Sequence, residues 1–314
     1  MGMTLVTGAS GFVGSHLMEE MTQRGLPVRG VTRRMVPGLL TVPSYGPEMD
    51  WSTCLEGVDT VVHLAARAHI LKEEAGDPLR EFREANVVAM ENLAEQASSA
   101  GVRRFVFVSS IGVNGNVTEP GKPFTSADVP SPHSDYATAK AEAEASLKEI
   151  CYTNALEFVI IRPPLMYGSG VQANFLRLMK LAALGIPSPF GLVNNKKSFL
   201  YVKNLCDLII TTLDHPRANN KVFLVSDGHD VSTDTLYRDL MAAFGKRPYR
   251  LTLPPDLLKI IGSIAGASKI LEQLIGNLQI DASYTQDQLD WKPPYTYSDG
   301  ITATAKSFGG KYKN

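Results

Sequence analysis

The sequence predicts an α/β protein built on a doubly wound parallel sheet, with a smaller, mixed C-terminal lobe. Three observations carry this reading: short β-branched stretches alternate with helix-forming stretches, a glycine-rich turn directly follows the first of those strands, and the alternation stops near Arg162. Strands separated by helices need crossover connections, and crossovers produce parallel sheets covered on both faces.

The elements follow in order. Residues 3–6, 28–32, 60–64, 104–109 and 158–162 are short and rich in Val, Ile, Phe and Thr, as strands are. Residues 16–24, 79–100 and 136–152 carry helical spacing or strong helix formers. Beyond Arg162, Pro163-Pro164, Gly168-Ser169-Gly170 and a loop-like stretch over 185–197 punctuate the chain. The expected division is therefore a dinucleotide-binding unit over 1–165 and a substrate lobe over 166–314, with some later segments free to rejoin the core.

Composition bounds the function. A chain of 314 residues, 44% hydrophobic and 20% charged, can bury one large core or a core plus a smaller lobe. Its net charge of -1 shows no bias towards nucleic acid or an anionic membrane surface. Cys54, Cys151 and Cys206 are widely spaced and lack CxxC or Cys/His spacing, so neither a disulfide framework nor a metal site is expected. The opening strand lacks the basic start and long apolar run of a secretory signal, and a cytoplasmic protein is expected. The apolar stretch 257–275 is broken by Lys259, Lys269, Glu272 and glycines, so it reads as buried helices or a face for a partner subunit, not a membrane span.

Gly8-Ala9-Ser10-Gly11-Phe12-Val13-Gly14 follows a buried strand and opens an amphipathic helix. In that context Gly8 permits a tight turn, Gly11 lets backbone N–H groups approach a pyrophosphate, and Gly14 lets helix and strand pack closely. The second strand ends in Val31-Thr32-Arg33-Arg34, where an NAD-selective site often has a carboxylate for the adenosine ribose. Two guanidiniums suit a 2'-phosphate, so NADP(H) is favoured and NAD(H) is the alternative. Asp50 and Trp51 are placed where they could meet adenine, and Leu64, Ala65 and Ala66 end the next strand beside the cofactor. His63 there is expected to be structural, and Asn86 could tie its helix to the site.

Tyr136 and Lys140 are four residues apart in a helical run, so phenol and ammonium share one face. A phenol titrating near pH 10 is a weak base at neutral pH unless a cation stabilises its phenolate, which Lys140 and an oxidised nicotinamide could do. Ser110 ends a strand and can hold the carbonyl or hydroxyl being interconverted while Tyr136 passes the proton. A lone Tyr-x-x-x-Lys is usually a solvated helix face; joined to the glycine loop and Ser109-Ser110 in this order, it reads as hydride-transfer chemistry.

These motifs, with His63-Leu64-Ala65-Ala66 and Arg162-Pro163-Pro164-Leu165-Met166-Tyr167-Gly168, resemble the extended short-chain dehydrogenase/reductases over nearly the whole chain. The implied fold is a Rossmann-type sheet. The stretches 109–115, 173–175 and 198–202 are similar to the nucleotide-sugar branch, nearest the UDP-glucose 4-epimerase-like subgroup that includes UDP-4-keto-6-deoxy-N-acetylglucosamine 4-reductases.

The resemblance implies Ser110, Tyr136 and Lys140 as catalytic residues, and Pro163 beside the cofactor. It further implies Asn174 and Lys197 as contacts to a UDP-sugar. Asn114 stands where the family often has Tyr, altering the pocket near the sugar. No clear arginine for the diphosphate follows, Arg247 and Arg250 being loose candidates.

With Arg33 and Arg34, the expectation leans to reduction of a UDP-4-keto-6-deoxy-N-acetylhexosamine. A UDP-glucose or UDP-N-acetylglucosamine 4-epimerase is the alternative, and a non-catalytic NADP-sensing protein is the reading from another class. Family members commonly dimerise through the helices corresponding here to 79–100 and 136–152, with Ala89, Leu93, Ala97, Ala141 and Ala145 allowing close approach.

Overall fold

The computed structural model describes residues 1–67, 77–264 and 268–311. Strand β1 (Met3–Thr7) leads into α1 (Phe12–Gln23), β2 (Val28–Thr32), a two-residue edge strand β3 (Leu40–Thr41), the short α2 (Ser52–Leu55) and β4 (Val58–His63). Helix α3 (Pro78–Arg83) passes through a π-helical turn, Glu84–Val88, into α4 (Ala89–Ser99). Next come β5 (Arg104–Val108), α5 (Asp135–Thr153) and β6 (Glu157–Arg162). The remainder holds β7 (Leu165–Tyr167), α6 (Ala173–Ala183), β8 (Phe199–Tyr201), α7 (Val202–Asp214), β9 (Lys221–Leu224), α8 (Thr233–Ala243), α9 (Pro255–Ile264), α10 (Ser268–Ile275), α11 (Ser283–Leu289) and α12 (Tyr297–Lys311).

Seven parallel strands lie in the order β3-β2-β1-β4-β5-β6-β9, and β7 pairs with β8 in a separate small sheet. The order reverses between β1 and β4, which opens a crevice at their carboxyl ends, the place where such sheets bind ligands. The last strand, β9, comes from beyond residue 165 and pairs with β6 from Val159↔Lys221 to Arg162↔Leu224.

The core follows the two-residue period of the strands. Val6, Val62, Val106, Val159 and Ile161 face one side, with Leu17, Met21, Leu205 and Ile209 of α1 and α7. Leu5, Val61, Phe105, Phe107, Phe158 and Ile160 face the other, with Met90, Leu93, Ala97, Ala143 and Leu147 of α4 and α5. Both faces are covered, which is why these strands read as continuous apolar runs.

Three expectations are modified. The helix anticipated over 79–100 is interrupted by the π-helical turn, whose wider spacing seats Asn86, 1% exposed, against the loop after β4. There its side chain accepts from Arg67 N at 2.8 Å and donates to Arg67 O at 3.2 Å. Ala89, Leu93 and Ala97 are buried within the single chain rather than presented for a second copy, Ala141 is half-buried and Ala145 is exposed. In the 257–275 stretch, α9 leaves Leu257 and Ile260 exposed, and residues 265–267 lie outside the described residues. Among the described residues no helix is long and apolar enough to cross a membrane.

Candidate active site

The glycine turn is shaped by close approach. Gly8 has φ +68°, and a Cβ there would lie 2.8 Å from Ala65 N, so only glycine lets β1's exit pass the end of β4. A Cβ on Gly14 would run into Gly8 O and sit 2.7 Å from Ala9 Cα. Gly11 is the N-cap of α1 and brings no capping side chain, which leaves the helix's first N–H groups for an anion. A pyrophosphate fits this cradle, because its oxygens accept from those groups and the absent side chains give it room.

Around the end of β2, Ser10 Oγ and Thr32 Oγ1 are 2.7 Å apart, and Arg34 N donates to Thr32 Oγ1 at 3.2 Å. Arg33 and Arg34 are exposed, and the Arg33 guanidinium lies 5.6 Å over the Tyr45 ring. Tyr45 was not singled out by its sequence context. Its hydroxyl donates to Val31 O at 2.8 Å and accepts from Gly8 N at 3.2 Å, and its ring stacks on Trp51 at 5.8 Å. Trp51, expected beside adenine, is instead a core residue, 1% exposed, because its large ring fills the space under Tyr45. Asp50 remains exposed, with its carboxylate accepting from Ser52 N at 2.9 Å. That hydrogen bond holds its carboxyl below the usual range.

At the end of β4, the Thr7 hydroxyl and His63 Nδ1 share a hydrogen bond at 2.9 Å, and the hydroxyl accepts from Ala65 N at 3.3 Å. Burial pushes His63 down to about 3, so it stays neutral and structural. Leu64 is half-buried, Ala65 buried and Ala66 exposed, in sequence along the crevice.

Ser110 caps the 3-10 turn Ile111–Val113, its Oγ accepting from Gly112 N at 3.1 Å, which leaves the hydroxyl proton free to donate. The turn is held from the sheet by Ile111 N donating to Pro163 O at 3.0 Å. Helix α5 starts at a Ser134 N-cap, whose Oγ accepts from Ala137 N at 3.2 Å. This places Tyr136 in the first turn, where its ring meets Phe82 of α3 edge-on at 6.0 Å.

Lys140, one turn on, is 2% exposed; its Nζ donates to Val108 O at 2.9 Å and lies 4.2 Å over the Phe107 ring. Burial pushes the Tyr136 phenol up to about 12 and the Lys140 ammonium down to about 7, the latter opposed by Glu144. Proton transfer near neutral pH therefore needs positive charge brought to Tyr136, and the site's own source is Lys140.

Other residues lie where the sequence did not anticipate. Asn114 is 3% exposed with both amide ends engaged: Oδ1 accepts from Arg162 Nη1 and Nδ2 donates to Thr125 O, each at 2.9 Å. It is shorter than a Tyr would be and turns to the protein instead of the pocket. Lys197 Nζ donates to Gln273 O at 2.7 Å and Gly276 O at 3.1 Å, capping the end of α10, where a cation complements the helix dipole. Burial lowers it to about 8.

Asn174 is half-buried in the first turn of α6, directly after Ala173, which adopts φ +55°. Arg247 donates to the Tyr249 hydroxyl at 3.2 Å, and Arg250 lies 3.9 Å from Asp234. A cavity of about 420 Å³ lies beside this region, lined by Gly168, Gly170, Gln172, Ala173, Leu176 and Met179 among others.

A dinucleotide cradle at the switch point of a doubly wound sheet, with Ser110 and the Tyr136/Lys140 pair on the neighbouring strand end and helix, defines an enzyme of the short-chain dehydrogenase/reductase class. Residues 4–226 match the model of the NAD dependent epimerase/dehydratase family, and the chain belongs to that family. It is 44% identical over 310 residues to a UDP-glucose 4-epimerase of Vibrio cholerae, covering 97% of this chain and 94% of that one. It is 26% identical to an N-acetyl-alpha-D-glucosaminyl-diphospho-ditrans,octacis-undecaprenol 4-epimerase of Escherichia coli O157:H7, covering 96% and 93%. Among solved structures, a Thermus thermophilus UDP-glucose 4-epimerase in complex with NAD superimposes with a TM-score of 0.77 at 23% identity, over 98% of this chain and 99% of that one.

Proposed function

We propose that this chain interconverts the C4 epimers of a UDP-hexose. The carrying observation is its 44% identity, over 97% of its length, to the Vibrio cholerae UDP-glucose 4-epimerase. This inverts the preference drawn from Arg33 and Arg34, and makes NAD the expected dinucleotide.

A dinucleotide held at its pyrophosphate by the glycine cradle would supply, through its nicotinamide, the acceptor and donor of hydride for the sugar C4. The protein's own residues handle the oxygen and its proton. Ser110 donates a hydrogen bond to the C4 oxygen and holds it beside Tyr136. Tyr136 takes the hydroxyl proton as that carbon is oxidised and returns it when the carbon is reduced from the other face. Lys140 brings the positive charge without which a phenol lifted to about 12 would not ionise. Asn174, in the first turn of α6, is the residue this reading assigns to the nucleotide-sugar.

The test is incubation of purified protein with UDP-glucose, and separately with UDP-N-acetylglucosamine, with and without added NAD, following the 4-epimer by NMR. Failure to interconvert either sugar sinks the reading. The second reading, a 4-ketoreductase using NADPH, is favoured by the two exposed arginines and by Thr32, whose hydroxyl is already engaged, at the end of β2. Stoichiometric NADPH consumption with UDP-4-keto-6-deoxy-N-acetylglucosamine, and tighter binding of NADP than NAD, would replace the first reading with the second.

A further inference from the structure

One turn beyond Lys140, α5 carries a buried charge that the proposed chemistry does not use. Tyr136, Lys140 and Glu144 follow at intervals of four and share one helix face. Glu144 and Arg162 are each 2% exposed. Arg162 Nε donates to Glu144 Oε1 at 2.9 Å and Nη2 to Oε2 at 2.5 Å, a bidentate pair. Its remaining arm, Nη1, donates to Asn114 Oδ1 at 2.9 Å, and Asn114 closes the turn that Ser110 opens. One guanidinium at the end of β6 thus joins the helix bearing Tyr136 and Lys140 to the turn bearing Ser110.

Taking two charges out of water is costly, and buried pairs can often be replaced by apolar residues without loss of stability. Stability is therefore a poor reason for this pair, and its location supplies a better one. The groups facing Lys140 are Tyr136 and Glu144 on its own helix, Phe107 and Val108 O on β5, and His63 on β4. Of these, His63 is neutral and Glu144 alone is an anion.

We propose that Glu144, Arg162 and Asn114 form a positioning unit: Arg162 registers the Ser110 turn against the catalytic helix, and Glu144 neutralises the Arg162 cation, whose unpaired charge would otherwise make Lys140 give up its proton beside Tyr136. This rests on the reading of Ser110, Tyr136 and Lys140 as the residues acting at sugar C4.

The test compares Glu144→Gln, Glu144→Gln/Arg162→Met and Asn114→Ala with wild type. It measures kcat and KM for UDP-sugar interconversion across pH, and the NAD dissociation constant across pH without sugar. Glu144→Gln leaves the Arg162 cation buried without its partner, so the alkaline limb of kcat moves to lower pH by about one unit, with KM within about twofold. Removing that cation in the double variant returns the limb towards its wild-type position, while kcat stays about tenfold low because the Ser110 turn is no longer registered. Asn114→Ala lowers kcat and leaves the limb in place.

An equal loss of kcat at every pH in Glu144→Gln, or a limb shift that persists in the double variant, overturns the proposal. If Glu144→Gln does not fold, Glu144→Asp keeps the charge on a shorter arm: reduced kcat with the limb unmoved supports the unit, and a shifted limb refutes it. Should wild type prove inert towards UDP-sugars, the C4 reading fails separately. The cofactor-binding profile then decides the proposal alone, since it reads the Lys140 charge without any sugar, and identical profiles for wild type and Glu144→Gln refute it.

Discussion

Replacing Lys140 by Met should stabilise the folded protein at neutral pH and change how its stability responds to pH. Burial moves this lysine from its ordinary 10.5 to about 7. The native protein therefore releases the proton near pH 7, whereas the unfolded chain keeps it until about pH 10.4. Between those limits the unfolded state holds one more proton, so Lys140 makes stability rise with pH by about 1.4 kcal/mol per pH unit.

The burden of burying the charge is complete below about pH 7 and relieved as pH climbs towards 10, summing to about 4 kcal/mol at pH 7. Met carries no such burden, but it cannot donate to Val108 O, now bonded at 2.9 Å. Leaving that carbonyl unsatisfied costs about 1–3 kcal/mol. The variant should thus be more stable by about 1–3 kcal/mol at pH 7, and its advantage should shrink by about 2 kcal/mol on going to about pH 8.5. Thermal melts of both proteins without cofactor, across that range, read the gap directly at about 2–4 °C per kcal/mol. A gap that stays constant or widens as pH rises refutes the account of Lys140 as a buried, readily deprotonated ammonium.

Tyr136→Phe removes the hydroxyl proposed to exchange the C4 proton and should lower kcat by about 10²–10⁴ while the NAD dissociation constant stays within a few-fold; near wild-type turnover would dismiss Tyr136 as the acid/base group. Gly14→Ala places a Cβ against Gly8 O and 2.7 Å from Ala9 Cα, so it should weaken dinucleotide binding at least about tenfold and destabilise the fold by about 1–3 kcal/mol, measured by titration and melting. Lys197→Met takes the donor from Gln273 O and Gly276 O, at about 1–3 kcal/mol each, but also relieves the burial that lowers the ammonium to about 8, so stability at pH 7 should fall by no more than about 3 kcal/mol, with little change in KM for the UDP-sugar. A large rise in KM at unchanged melting temperature would instead place the ammonium on the diphosphate.

Much of the site was legible because its information is local. Ser110 was recognisable as the residue after a buried strand, and Tyr136 and Lys140 by their spacing on one helix, since the helical period makes neighbours of residues four apart. The glycine turn was legible because Gly8 must adopt φ +68° and Gly14 must let two backbones touch. Asn114, Lys197 and Trp51 read as ligand contacts in sequence, yet the fold offers each a protein partner first. Tyr45 went unnoticed because its position between Gly8 N and Val31 O depends on how the loop after β2 returns.

The sequence by itself therefore determined the alternation of strands and helices, the glycine turn and the side chains proposed to react, because turn chemistry and side-chain periodicity act within a few residues. Only the tertiary structure decided that β9 rejoins the sheet beside β6, that Lys197 closes α10, and that Arg162 ties Glu144 on α5 to Asn114 in the Ser110 turn. Those pairings join positions tens of residues apart. Their partners are selected by burial, where an unpaired charge or carbonyl is costly, and no spacing in the sequence records that selection.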